Sequence, residues 1–114
     1  MDINIKNLKE VTIVEMAGDI DASTAPKVQE KVLPLAGPGS KILLDMSKVP
    51  YTSSAGLRLL LSLYRQINGN DGKLVLVGVS EQIQDTMEVT GFLDFFIRCD
   101  SIDSGLEALE KDEE

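Results

Sequence analysis

At 114 residues the chain fits one domain, residues 1–114, and 43% hydrophobic content is enough for a core that Leu, Val and Ile must fill, since aromatics are 4% and Trp is absent. The absence of His and a single Cys exclude a Ser-His-Asp triad, an internal disulfide and a Cys-based metal cluster. A net charge of -8 argues against nucleic acid or an anionic membrane as partner.

The start, Met1-Asp2-Ile3-Asn4-Ile5-Lys6, lacks the basic-then-apolar layout of a signal peptide, and no run approaches the roughly 20 apolar residues of a bilayer span. A cytoplasmic protein, made in this form, is expected. Residues 3–6 are a weak strand candidate, and Val11-Thr12-Ile13-Val14-Glu15-Met16 alternates as a strand should. The turn-prone residues 7–10 would join them as a hairpin. Gly18-Asp19-Ile20-Asp21 leaves the second strand in a loop, and Ser23-Thr24-Ala25-Pro26 predicts a helix start. Val28, Val32 and Leu35 are spaced for one buried face, and Pro34 with Gly37-Pro38-Gly39 ends that helix.

Lys41-Ile42-Leu43-Leu44-Asp45-Met46 is apolar on both faces, which suits a strand near a sheet centre. Residues 54–68 carry the strongest helical signal, with Leu57, Leu60, Leu61 and Tyr64 at i, i+3, i+4 and i+7, widened by Leu59 and Leu63. Lys73-Leu74-Val75-Leu76-Val77-Gly78-Val79 is expected as a second buried strand. Ser80 caps a helix carrying Ile83 and Met87, and Gly91 ends it. Phe95-Phe96-Ile97-Arg98 is expected as a short strand. Asp100 or Ser101 caps a last helix with Ile102, Leu106 and Leu109, and the acidic tail 107–114 is expected to fray. The strand–helix alternation predicts an α/β fold: antiparallel strands first, parallel strands after, with right-handed crossovers.

The residues that could carry chemistry cluster at two loop–helix junctions. Ser53 and Ser54 open the leucine-rich helix, where one can be a plain N-cap or a hydroxyl poised to accept a phosphate. Asp19 and Asp21 can be turn and capping acids, or they can join Asp45, at the end of a parallel strand, in a carboxylate site. No glycine-rich phosphate cradle accompanies them, because Gly56 is isolated and no Lys follows it. Gly56 allows close packing beneath the helix start. Tyr51 and Thr52 bear on a partner surface, or Tyr51 anchors its loop. Met46 and Met87 belong to the core or its rim, and Cys99 is a small apolar filler with no base to activate it.

Three stretches together resemble the bacterial anti-sigma factor antagonists, which are stand-alone STAS domains: Gly18-Asp19-Ile20-Asp21, Leu44-Asp45-Met46-Ser47 with Val49, and Ser53-Ser54-Ala55-Gly56-Leu57. The resemblance spans about residues 3–109. It implies a small mixed β-sheet packed by about four helices, and a partner-switching mechanism. The unphosphorylated protein binds an anti-sigma factor that is also a serine kinase, which frees a sigma factor. The kinase then phosphorylates the antagonist and a serine phosphatase resets it. Carried onto this sequence, the phosphoacceptor is Ser54. Asp19, Asp21, Tyr51, Thr52, Ser53, Ser54 and Gly56 form the partner-binding surface, with Asp21 an acid near the serine. The family commonly has Asp where this chain has Ser53, which opens Ser53 as an alternative acceptor. The protein itself is then no enzyme and a monomer, with no cofactor, no metal, and no nucleic-acid or membrane partner. Two other readings follow: a STAS subunit of a lipid-transport or signalling scaffold complex that is never phosphorylated, and a small enzyme in which Asp19, Asp21 and Asp45 converge on a metal.

Overall fold

A computed structural model describes residues 1–111. Strands β1 (Asp2–Leu8) and β2 (Val11–Ala17) form an antiparallel hairpin, turned at Lys9, which takes a left-handed conformation with φ 57°. Strands β3 (Lys41–Lys48), β4 (Lys73–Val77) and β5 (Ile97–Cys99) then add in parallel, so the five-stranded sheet runs β1-β2-β3-β4-β5. Helices α1 (Ala25–Val32), α2 (Ser54–Gly69) and α3 (Glu81–Val89) make the connections, and α4 (Ile102–Lys111) follows β5.

This topology decides where the helices lie. Each parallel strand is laid beyond the previous one in the same direction, so right-handed crossovers put α1, α2 and α3 on one face of the sheet. That face holds the larger core: Val14, Met16, Ile42, Leu44 and Met46 from the sheet meet Val28, Leu60, Leu63 and Ile83 from the helices. The opposite face packs Val11, Ile13, Leu43, Val75 and Val77 against Leu109 of α4. Leu43 therefore points one way and Ile42 and Leu44 the other, which is why this strand reads as apolar throughout. Met46 and Met87 are both fully buried.

Helix ends follow their sequence signals. Ser80 Oγ accepts from Ile83 N–H at 3.2 Å, Ser101 Oγ accepts from Ser104 N–H at 3.1 Å, and Gly91, just past α3, takes φ +80°. Three expectations shift. The strand expected at 95–98 begins at Ile97, because Leu93–Phe95 is a 3-10 turn that brings Phe95 and Phe96 against Tyr64, with ring centroids 5.9 and 5.8 Å apart. Leu35 lies in a 3-10 turn beyond α1 and is only partly buried. The segment expected to fray continues as helix to Lys111, because Leu106 and Leu109 carry the buried period through its acids; residues 112–114 lie outside the described residues. Among the described residues no helix is long and apolar enough to cross a membrane.

Candidate functional site

The two loops that the sequence marks, residues 18–24 after β2 and residues 49–53 after β3, are fastened side by side by main-chain hydrogen bonds. Gly18 N–H donates to Lys48 O at 3.0 Å, Ile20 N–H to Tyr51 O at 3.0 Å, and Ser53 N–H to Ile20 O at 2.9 Å. Ile20 and Thr52 form a parallel bridge, which prolongs the β2–β3 pairing past the ends of the strands. Ile20 is wholly buried. The sequence places it in a loop, yet an apolar β-branched side chain between two acids is the signal that such a position turns inward.

Helix α2 starts directly on this junction. A Cβ on Gly56 would collide with Thr52 Oγ1 and come within 2.5 Å of Ile20 O, so only glycine allows the helix to sit this close to the bridge. Thr52 is 4% exposed and Gly56 is buried. Both were expected on the partner-binding surface. The structure places them beneath it, because their role is to bring the loop and the helix into contact. Tyr51, at 47% exposure, and Asp19 do face solvent.

The paired serines divide the two readings between them. Ser53 is the N-cap, its Oγ accepting from Gly56 N–H at 3.3 Å while its carbonyl accepts from Leu57 N–H at 2.9 Å. Ser54 is the first helical residue; it is exposed, and its hydroxyl takes part in no hydrogen bond with a described residue. Ser53 is half-buried and committed, whereas Ser54 is open to solvent.

Asp21 is committed to its own turn. Its Oδ1 accepts from Ser23 Oγ at 2.7 Å, Ser23 N–H at 2.9 Å and Thr24 N–H at 3.1 Å, and Asp21 N–H donates to Thr24 Oγ1 at 2.9 Å. The Ser23 hydroxyl, followed by the Ser23 and Thr24 N–H groups, holds the Asp21 carboxyl below its ordinary value. Asp45 lies apart from this junction. It alternates with Leu44 and so shares the α4 face with Leu43, and its Oδ1 accepts from Ser47 N–H at 3.0 Å. Its cross-strand neighbour is Glu15, which pairs with Lys6 at 3.3 Å. Asp19, Asp21 and Asp45 therefore do not converge, and among the described residues no three His, Cys, Asp or Glu side chains are grouped to hold a metal. Cys99 is a half-buried free thiol.

The fold and junction define a class: a small mixed-sheet domain in which a fastened loop pair carries a serine-headed helix. The STAS domain family model matches residues 2–108, and the chain belongs to that family. It is 31% identical over 97 residues to the anti-sigma-B factor antagonist of Staphylococcus aureus, covering 82% of this chain and 90% of that one. Two solved structures share the fold. An anti-sigma factor antagonist from Mycobacterium paratuberculosis superposes with a TM-score of 0.83 at 23% identity, covering 96% of this chain and 93% of that one. The Bacillus cell fate determinant SpoIIAA in its phosphorylated form superposes with a TM-score of 0.72 at 14% identity, covering 94% and 98%.

Proposed function

We propose that this protein is an anti-sigma factor antagonist controlled by phosphorylation of Ser54. The unmodified form binds an anti-sigma factor that is also a serine kinase, through Asp19, Tyr51 and the start of α2, and so frees a sigma factor. In the reverse step the Ser54 oxygen attacks the γ-phosphorus of ATP, the bond to the ADP oxygen breaks, and the hydroxyl proton passes to a base of the kinase. The phosphate brings about -1.5 to -2 charge onto the docking face, and the complex separates. A serine phosphatase restores the hydroxyl by hydrolysis, releasing inorganic phosphate. The chemistry belongs to those partners, and this chain acts as a monomeric cytoplasmic substrate and ligand.

One observation carries this reading. The N-cap requirement is met by Ser53, which leaves the Ser54 hydroxyl exposed and unengaged at the first position of α2. The name of the Staphylococcus aureus relative supports the choice of partner, and a phosphorylated protein of the same fold supports the chemistry.

Intact mass and site mapping of the protein from its own cells, followed by reconstitution with an anti-sigma factor kinase and ATP, test the proposal. Phosphate on Ser54 is expected. Ser54→Ala should bind the kinase and resist release by ATP, and Ser54→Asp should bind weakly. Phosphate on Ser53 alone would move the acceptor by one residue. If no phosphate forms under any condition, or both variants bind and release as wild type does, the protein is instead a STAS subunit of a transport or scaffold complex.

A further inference from the structure

A phosphate on Ser54 would have a cation of its own helix one turn away. The sequence of α2, SAGLRLLLSLYRQING, contains no acid, and its first cation is Arg58. Residues four apart on a helix lie on the same side, about 6 Å apart along the axis, and their side chains lean toward the N-terminus. Arg58 therefore sits one turn beyond Ser54 on the same side of α2. It is exposed, and it makes no hydrogen bond or ion pair with a described residue. Three other cations have partners: Lys6 with Glu15, Lys27 with Met1 O, and Arg98 with Gln84. Arg58 also lines a groove with Leu61, Ser62, Arg65, Gln66 and Phe92, and no carboxylate in that lining competes for it.

The helix terminus is only partly free for the phosphate, because Ser53 Oγ takes the Gly56 N–H and leaves those of Ser54 and Ala55 in the first turn. The other charges near the junction are unhelpful. Asp19 and Asp21 stand on the adjoining loop, with the Asp21 carboxylate kept ionised by its turn. Lys48, at the end of β3, lines a hollow that also holds Asp2, Glu15 and Asp45. A planar guanidinium one turn from a phosphate can donate two parallel N–H bonds to its oxygens.

We infer that Arg58 is the internal counter-ion of a phosphate on Ser54, and that phosphorylation withdraws this arginine from the docking face. The inference rests on the reading of Ser54 as phosphoacceptor and adds a second effect to it. Phosphorylation adds negative charge and, in the same event, removes a cation that the unmodified protein offers to its partner. A carboxylate at position 54 supplies one charge and a shorter reach, so it captures Arg58 less well than a phosphate does.

The test uses protein in which phosphoserine is installed at position 54 during synthesis, so it does not depend on any kinase. The second ionisation of the phosphate is followed by phosphorus NMR in four proteins: the unsubstituted chain, Arg58→Gln, Arg58→Lys and Arg65→Gln. Arg58→Gln is expected to raise that pKa by about 0.3 of a pH unit, the size of an exposed i,i+4 ion pair. Arg58→Lys should restore most of the difference. Arg65→Gln changes net charge equally but lies about 16 Å along the axis, beyond the ~8 Å screening length of physiological salt, and should leave the titration unchanged. If Arg58→Gln and Arg65→Gln titrate alike, the pairing is refuted. If the pairing is measured but cells never phosphorylate Ser54, the switch fails and the pairing stands, so the two failures are separable.

Discussion

Helices α2 and α3 begin with the same device. Ser53 and Ser80 each cap the third residue of their helix, at 3.3 and 3.2 Å. The next position differs. α3 places Glu81 there, a permanent negative charge at the positive end of the helix dipole, whereas α2 has Ser54 and no acid anywhere in its first turn. One start is finished electrostatically and the other is left incomplete. The comparison teaches that an anion is acceptable at this position of the fold, so a phosphate on Ser54 need not disturb the helix it heads. Its effect falls on whatever docks there.

The two starts also differ in what lies under them, and this gives the largest expected effect. Gly56 has no room for a methyl group, while its counterpart in α3 is Ile83, a fully packed side chain. Gly56→Ala should cost about 3 kcal/mol in thermal or urea unfolding, because the bridge or the helix must move. Gly69→Ala in the same helix meets nothing within 4 Å and should instead gain about 0.5 kcal/mol. Equal destabilisation by both would show that the close approach at Gly56 is not what holds the junction.

Cap removal comes next. Ser53→Ala and Ser80→Ala should each lose about 1 kcal/mol. A loss confined to Ser80 would mean that the loop bonds, not the serine, hold the start of α2. Exchanging the following residues sharpens the contrast further. Ser54→Glu should stabilise by about 0.5 kcal/mol, and Glu81→Ser should destabilise by a similar amount, both fading at high salt.

The smallest effect is confined to acid. The folded-state pKa of Asp21 lies below its ordinary value near 3.8, so its contribution is fully present above that value and is lost as pH falls through the lower, folded one. Asp21→Asn should flatten this part of the acid limb and leave the shape of the profile above it unchanged. An unaltered acid limb would show that the turn does not depend on the charged carboxylate.

Much of this was legible in the chain itself. The 3.6-residue period of Leu57, Leu60, Leu61 and Tyr64 marked α2, and apolar runs on both faces marked β3 and β4, because each strand packs against helices on two sides. The serine pair was legible as a helix start, though not the division of roles within it, which depends on which hydroxyl turns back to Gly56 N–H. Thr52 and Ile20 were not legible as partners. Their bridge joins two loops distant in sequence, and Ile20 between two acids marks an inward position without naming the residue it meets. In the sequence, Arg58 is an ordinary polar position on an amphipathic helix. The shift at β5 has a similar origin, since contact with Tyr64 outweighs local β propensity at Phe95.

The fastening of the two loops has a consequence for how such proteins diversify. It is made by peptide groups, Gly18 to Lys48, Ile20 to Tyr51 and Ser53 to Ile20, with Ile20, Thr52 and Gly56 hidden beneath. Peptide groups are identical whatever side chain they carry, so the outward residues Asp19, Tyr51 and Ser54 can be exchanged without loosening the junction. A genome holding several copies of this fold can give each a different outward set. Parallel signalling circuits can then be insulated from crosstalk by a few surface substitutions, with the architecture inherited intact.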